Sequence, residues 1–250
     1  MALFKSSNPS LKADTFKDLI RTNDGKSMTI EGTVNKIALL TLIVFASALY
    51  TWNIYQETLD VMATVPYTTT GFIGGFVLAL IMIFKKTTAQ FLSPFYALLE
   101  GLALGGLSAI AEMKFPGIVL QALLTTFSIL FSLLAIYKLK IIKVTENFKL
   151  IVGAATMGVA LLYLISWIGS FFSFEIPMIH SSGTMGIIFS LVVIVIAAMN
   201  LVMDFDFIEQ GAKSNAPKYM EWYAAFGLMI TLIWLYIEVL RLLMKLNSRD

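Results

Sequence analysis

The residues of this chain most able to do chemistry are the few ionisable side chains set inside otherwise apolar stretches. Glu100 sits in the middle of one apolar run, Asp204 and Asp206 close another, and Glu238 and Arg241 lie in the second half of the last. Each costs ~2.5–3.5 kcal/mol or more at the centre of a lipid-embedded helix, so each needs a functional reason or a partner. At helical spacing Asn200 and Asp204 stack on one face, Glu238 and Arg241 are close enough to pair, and Thr231 shares a face with Glu238 to within about 20°. Two carboxylates crowded into a poorly solvated bundle titrate jointly, and proton loss from such a pair can drive a change of shape. A hard cation such as calcium takes roughly six to eight oxygen ligands. Asn200, Asp204, Asp206 and Glu209 could supply some of these, in the manner of an acidic ring at a pore mouth. Structural readings compete with these: Glu238 and Arg241 as an internal salt bridge, Asp206 and Glu209 as a solvated helix end.

The elements that must position these groups are membrane helices. Of 250 residues, 58% are hydrophobic and 14% charged, against roughly 45–50% and 25% in soluble domains. A bilayer core of ~30 Å needs about 20 apolar residues in a helix. Five charge-free windows reach that length: Ile37–Gln56, Val61–Phe84, Phe115–Tyr137, Leu150–Phe174 and Ile176–Met203. Two more are interrupted, Thr87–Ala111 by Glu100 and Tyr219–Met244 by Glu221, Glu238 and Arg241. The expected fold is therefore an all-α integral membrane protein of seven transmembrane helices, with residues 1–33 as a polar tail and 34–247 as the membrane domain. The ~10-residue alternating segments of a membrane β-barrel are not visible. A net charge of +2 gives no reason to expect a nucleic-acid partner.

Lysine and arginine set the orientation, since positive residues are retained on the cytoplasmic side. The tail carries Lys5, Lys12, Lys17, Arg21, Lys26 and Lys36, and the second, fourth and sixth loops carry Lys85, Lys86, Lys138, Lys140, Lys143, Lys149, Lys213 and Lys218. The odd-numbered loops have Lys114 alone, so the amino terminus is expected in the cytoplasm. The carboxyl terminus, with Arg241, Lys245 and Arg249, then falls outside. Within the tail, Phe16, Leu19 and Ile20 beside Lys12, Lys17 and Arg21 have the make-up of a short interfacial helix, with disorder as the simpler expectation.

In lipid, helices associate through close backbone contact, so small residues mark packing faces. Ala97, Gly101, Gly105 and Ala109 form such a stripe on the third span, Gly71 and Gly75 on the second, and Ala154 and Gly158 on the fifth. Tyr50, Trp52 and Tyr55 at one end of the first span, and Tyr219, Trp222 and Tyr223 at the start of the last, are expected headgroup anchors. Glu221 follows Pro217 at the start of that helix, where a carboxylate favours the positive amino end.

The composition argues against an enzyme. Cysteine is absent and His180 is the single histidine, which excludes disulfide frameworks, zinc fingers and Cys/His catalysis. Intramembrane aspartyl proteolysis needs a Gly-x-Gly-Asp element that is missing. His180, beside Ser181, Ser182 and Gly183, reads as part of a helix cap and not as a serine protease partner. No cofactor is expected.

The run MDFDFIEQGAKSNAPKYMEWYAAFG at Met203–Gly227, followed by LIWLYIEVLRLL, resembles the Bax inhibitor-1/YccA-like family of small membrane proteins. MTIEGTVNK, YALLEGLALGGLSA, FPGIVLQA and KVTENFK upstream are similar to its bacterial branch. The resemblance implies seven helices with the last one central between two three-helix units, a pH-sensitive calcium leak, and a sensor made of two aspartates. Asp204 matches the first aspartate. The second position falls on Thr231, so Glu238 on the same face and Glu100, in the family's glutamate-glycine element, become the candidates to substitute. The resemblance implies a bilayer, calcium ions and protons as partners, in a bacterial inner membrane. The alternative expectation is a non-transporting regulator acting on a stress pathway or a membrane protease.

Overall fold

The computed structural model describes residues 27–172, 176, 179 and 181–248. The proposed interfacial segment around Phe16, the loop residue His180 and Arg249 lie outside the described residues.

Thr29 starts the first helix. Its hydroxyl accepts a hydrogen bond from the Gly32 amide at 3.0 Å, satisfying one of the donors that a helix start leaves unpaired. Helix α1 then runs Ile30–Thr58 and stops at Leu59, whose φ of 52° is left-handed. A 3-10 turn, Val61–Thr64, leads into α2, Val65–Phe84, with Pro66 in its first turn. The remaining helices are α3 (Ala89–Lys114), α4 (Ile118–Lys138), α5 (Glu146–Ser170), α6 (Thr184–Lys213) and α7 (Met220–Asn247). All seven are long and apolar enough to cross a membrane, and no named strand occurs among the described residues. Most run past the charge-free windows: α1 begins seven residues earlier and α6 continues through Asp204, Asp206 and Glu209. Charge ends a hydrocarbon span, but backbone hydrogen bonding carries the helix on into the headgroup region.

Half or more of the most apolar window is buried in α3 (56%), α6 (50%) and α7 (61%), against 17–22% in the other four. By contacts the chain divides into two compact units. One contains residues 27–116 with 207–230; the other contains 117–206 with 231–248. The first half of α7 thus belongs to one unit and the second half to the other.

In the first unit α3 packs on both α1 and α2. Ala97, Gly101, Gly105 and Ala109 are all buried. A Cβ on Gly101 would collide with Ser47 Oγ and the Val44 carbonyl, and one on Gly105 would lie 2.8 Å from Thr51 Cβ. On α2, a Cβ on Gly71 would come within 2.7 Å of the Ala103 amide nitrogen. These glycines allow backbone approach, the main attraction available between helices in lipid. Tyr223 is 1% exposed and packs edge-on and tilted against Phe207 and Phe226. It is a core residue, not the headgroup anchor expected, because its ring completes an apolar cluster.

The second unit joins α4, α5, most of α6 and the end of α7. Here the small-residue reading of α5 fails. Ala154 and Gly158 are exposed, and nothing lies within 4 Å of a Cβ added to Gly158. The buried face is Val152, Gly153, Val159, Ser166 and Gly169. A small residue permits close approach without requiring it, and the α5 face is selected instead by polar side chains that need partners.

Candidate functional site

Those polar side chains form a column along α7 within the second unit. Thr231 and Glu238 are seven residues apart, about 10.5 Å along the axis. Each meets a different neighbour.

Asp204, on α6, is 4% exposed. Thr231 hydrogen-bonds its carboxylate, and the other oxygen, Oδ2, is buried with no hydrogen-bond partner among the described residues. One turn earlier on the same helix, Asn200 Nδ2 donates to Thr156 Oγ1 at 2.7 Å and to the Ile196 carbonyl at 2.9 Å. Thr156 lies on α5, so this bond ties α5 to α6 immediately beside Asp204.

Further along α7, Glu238 is 1% exposed. Arg241 Nη1 donates to its two oxygens at 3.0 and 3.2 Å. The Tyr163 hydroxyl of α5 donates to Glu238 Oε1 at 2.8 Å and accepts from Arg241 Nη1 at 2.6 Å, and the guanidinium stands 5.0 Å from the Tyr163 ring centroid. This closed triangle gives the buried carboxylate both a counter-charge and a second donor. The Glu238–Arg241 pairing expected from spacing is present. Tyr163 carried no signal in the sequence, since it lies inside a charge-free window.

The expected cation-binding mouth is dispersed. Asp206 pairs with Lys149 at 3.3 Å, and Lys149 also reaches Glu146 at 3.2 Å. Glu209 pairs with Lys213 on its own helix. Asn200 is spent on Thr156. Among the described residues no group of three or more His, Cys, Asp or Glu is arranged to hold a metal ion. The reason is geometric: Asp204 points away from Asp206 and Glu209, which share the other side of the helix, and each of those two finds a lysine.

In the first unit, Glu100 is half-buried on α3 and accepts a hydrogen bond from Tyr96, one turn away. Its carboxylate lies against α2, 2.8 Å from where a Cβ on Gly75 would be. It therefore faces a neighbouring helix and not lipid, as its cost in a membrane requires.

Glu221, read from the sequence as a helix-end carboxylate, is a hub. It is fully buried. Oε1 accepts from the Thr29 amide and hydroxyl, both at 2.9 Å, and from Lys218 at 2.7 Å; Oε2 accepts from Lys36 at 2.6 Å. The Met28 amide donates to the Ala216 carbonyl at 2.7 Å. The start of α1 is thus clasped to the start of α7. Lys36, counted only as an orienting charge, is part of this clasp.

A family profile described as Bax inhibitor 1 like matches residues 8–248, nearly the whole chain. The chain belongs to the Bax inhibitor 1 like family. Searches of curated proteins and of solved structures returned no match. The two positions at which the resemblance places paired aspartates do meet across α6 and α7. Here one carboxylate faces a hydroxyl. Glu238 does not substitute at that contact, because Arg241 and Tyr163 hold it.

Proposed function

We propose that this protein is a proton-sensitive cation leak, with calcium the expected ion, and that Asp204 is its sensor. One observation carries the reading. Asp204 is a buried carboxylate whose partner is a neutral hydroxyl and whose second oxygen has no partner among the described residues. A buried ionised carboxylate without a counter-charge is costly, so the group must hold a proton or meet a cation. Protons and cations then compete for one site. The protonated form is a neutral acid bonded to Thr231; the ionised form attracts a cation.

The placement is an integral one in a bacterial inner membrane, with the amino terminus cytoplasmic by the lysine distribution. The protein acts without enzymatic chemistry and without a resident cofactor, calcium being cargo. Calcium flux into dye-loaded proteoliposomes, measured across pH, tests the reading. Flux should fall as the medium is acidified and Asp204 takes up a proton. Asp204→Asn should abolish that pH dependence. Wild-type flux from Asp204→Asn at every pH would refute the sensor. An absence of flux in both would favour a non-transporting regulator of a stress pathway or a membrane protease.

A further inference from the structure

Lys245, seven residues beyond Glu238 on α7, has no role in the leak reading and an unusual environment. It lies two residues before the end of α7 at Asn247, where a lysine ordinarily snorkels its ammonium out to the headgroups. Instead the side chain turns inward and is 5% exposed. Its ammonium donates to the Gly186 carbonyl and to Ser190 Oγ, both at 2.9 Å, and stands 6.0 Å from the Phe189 ring centroid.

Two features make this placement costly. Among the described residues no carboxylate pairs with Lys245, because Arg241 and Tyr163 occupy the nearest one on its helix, Glu238. Gly186, Phe189 and Ser190 also lie in the first two turns of α6, which begins at Thr184, and the amino end of a helix carries positive partial charge. The ammonium is therefore desolvated, has no carboxylate partner among the described residues, and sits between the positive amino end of α6 and the negative carboxyl end of its own helix. What holds it is a carbonyl, a hydroxyl and an aromatic ring, the set of neutral groups that binds small cations.

We propose that Gly186, Phe189 and Ser190 form a cage for a small ammonium-class cation, and that Lys245 fills it as a tethered plug. Thr231, Glu238 and Lys245 recur at seven-residue intervals, so the plug closes the far end of the column that begins at Asp204. The fixed positive charge repels cations entering from that end. The plugging role rests on the leak reading; the cage does not.

The experiment uses the full chain with Lys245→Ala, which leaves a space the size of the missing propylammonium group. Thermal unfolding in detergent, titrated with propylammonium, should show a saturable rise in Tm for Lys245→Ala and none for the wild type. Adding Ser190→Ala should weaken that rise. In proteoliposomes Lys245→Ala should raise calcium flux roughly tenfold, equivalent to about 1.4 kcal/mol, and propylammonium should reverse the increase. Lys245→Met, which keeps the length of the side chain, should raise flux in the same way if the alanine variant folds poorly. No saturable propylammonium effect would overturn the cage. Propylammonium binding with unchanged flux, where Asp204-dependent flux is intact, would overturn the plug. Absence of flux from every protein would defeat the leak reading and the plug with it, while the amine titration alone would still decide the cage.

Discussion

Removing the Glu221 carboxylate should loosen the start of α1. The side chain is fully buried while its cations are not: the Lys36 side chain is 17% exposed and that of Lys218 46%. Both lysines can therefore recover water, and each pair is worth only about 0.5–1 kcal/mol after that screening. Glu221→Gln keeps an oxygen for the Thr29 amide and hydroxyl but removes the charge, so it should cost about 1–2 kcal/mol. Glu221→Ala also removes the acceptor of the Thr29 amide; because Thr29 is exposed, that amide can turn to water, and the added cost is about 0.5–1.5 kcal/mol. At about 2–4 °C per kcal/mol for a chain of this length, Tm should fall by roughly 2–8 °C for glutamine and further for alanine. Hydrogen exchange should accelerate at residues 27–33 and not at the far end of α7. If neither Tm nor exchange at 27–33 changed in Glu221→Ala, the clasp would contribute nothing and the reasoning would be wrong. A silent glutamine beside a damaging alanine would assign the stability to Thr29 alone.

The glycines give a paired test: Gly101→Ala, where a Cβ meets Ser47 and the Val44 backbone, should destabilise by roughly 1–3 kcal/mol, while Gly158→Ala, facing open space, should be neutral or stabilise by up to about 1 kcal/mol. Thermal unfolding of both in one detergent checks this, and equal effects would contradict the assigned packing faces. Thr231→Val removes the hydroxyl that Asp204 uses and should shift the pH profile of flux while leaving the Tyr163–Glu238–Arg241 triangle intact. Thr231→Asp should restore a carboxylate pair that titrates in two coupled steps, read as a broadened pH profile of flux; an unchanged profile in both variants would detach Thr231 from the sensor.

The membrane architecture was legible because charge-free length is a strong signal in a chain that lipid must solvate. The Ala97–Ala109 stripe was legible for the same reason: four small residues at one spacing leave little else for that face to do. Ala154 and Gly158 had the same look and face away from neighbours, since the α5 face is chosen by Thr156 and Tyr163 reaching Asn200 and Glu238. Those partners lie 44 and 75 residues away in the chain, and local periodicity does not encode separations of that size. Lys149, Lys36 and Lys245 were hidden differently. Lys36 and Lys149 were counted as orienting charges and Lys245 as a charge at the carboxyl end, and nothing in their spacing distinguished the ones that fold back onto Asp206, Glu221 and Ser190.

On the proposed reading, what separates the sensor from the structural charges is the kind of partner each carboxylate has. Glu221 meets two ammonium groups, Glu238 a guanidinium and a phenol, and Asp206 an ammonium. Each of those charges is answered by a fixed opposite charge, so neither proton uptake nor cation binding is needed to make its burial tolerable. Glu100 and Asp204 have a hydroxyl partner each. Glu100 is half-buried between α3 and α2, with Tyr96 as its hydrogen-bond partner. Asp204 is buried, has no counter-charge among the described residues, and one of its oxygens has no hydrogen-bond partner among them. Its burial is balanced by a proton or a cation, and the proposed sensor role is the case in which that partner exchanges. On the proposed leak reading, one carboxylate facing Thr231 suffices for a pH response where the resemblance places two aspartates: a second acid raises the cost of ionisation, but an unanswered buried charge already imposes one.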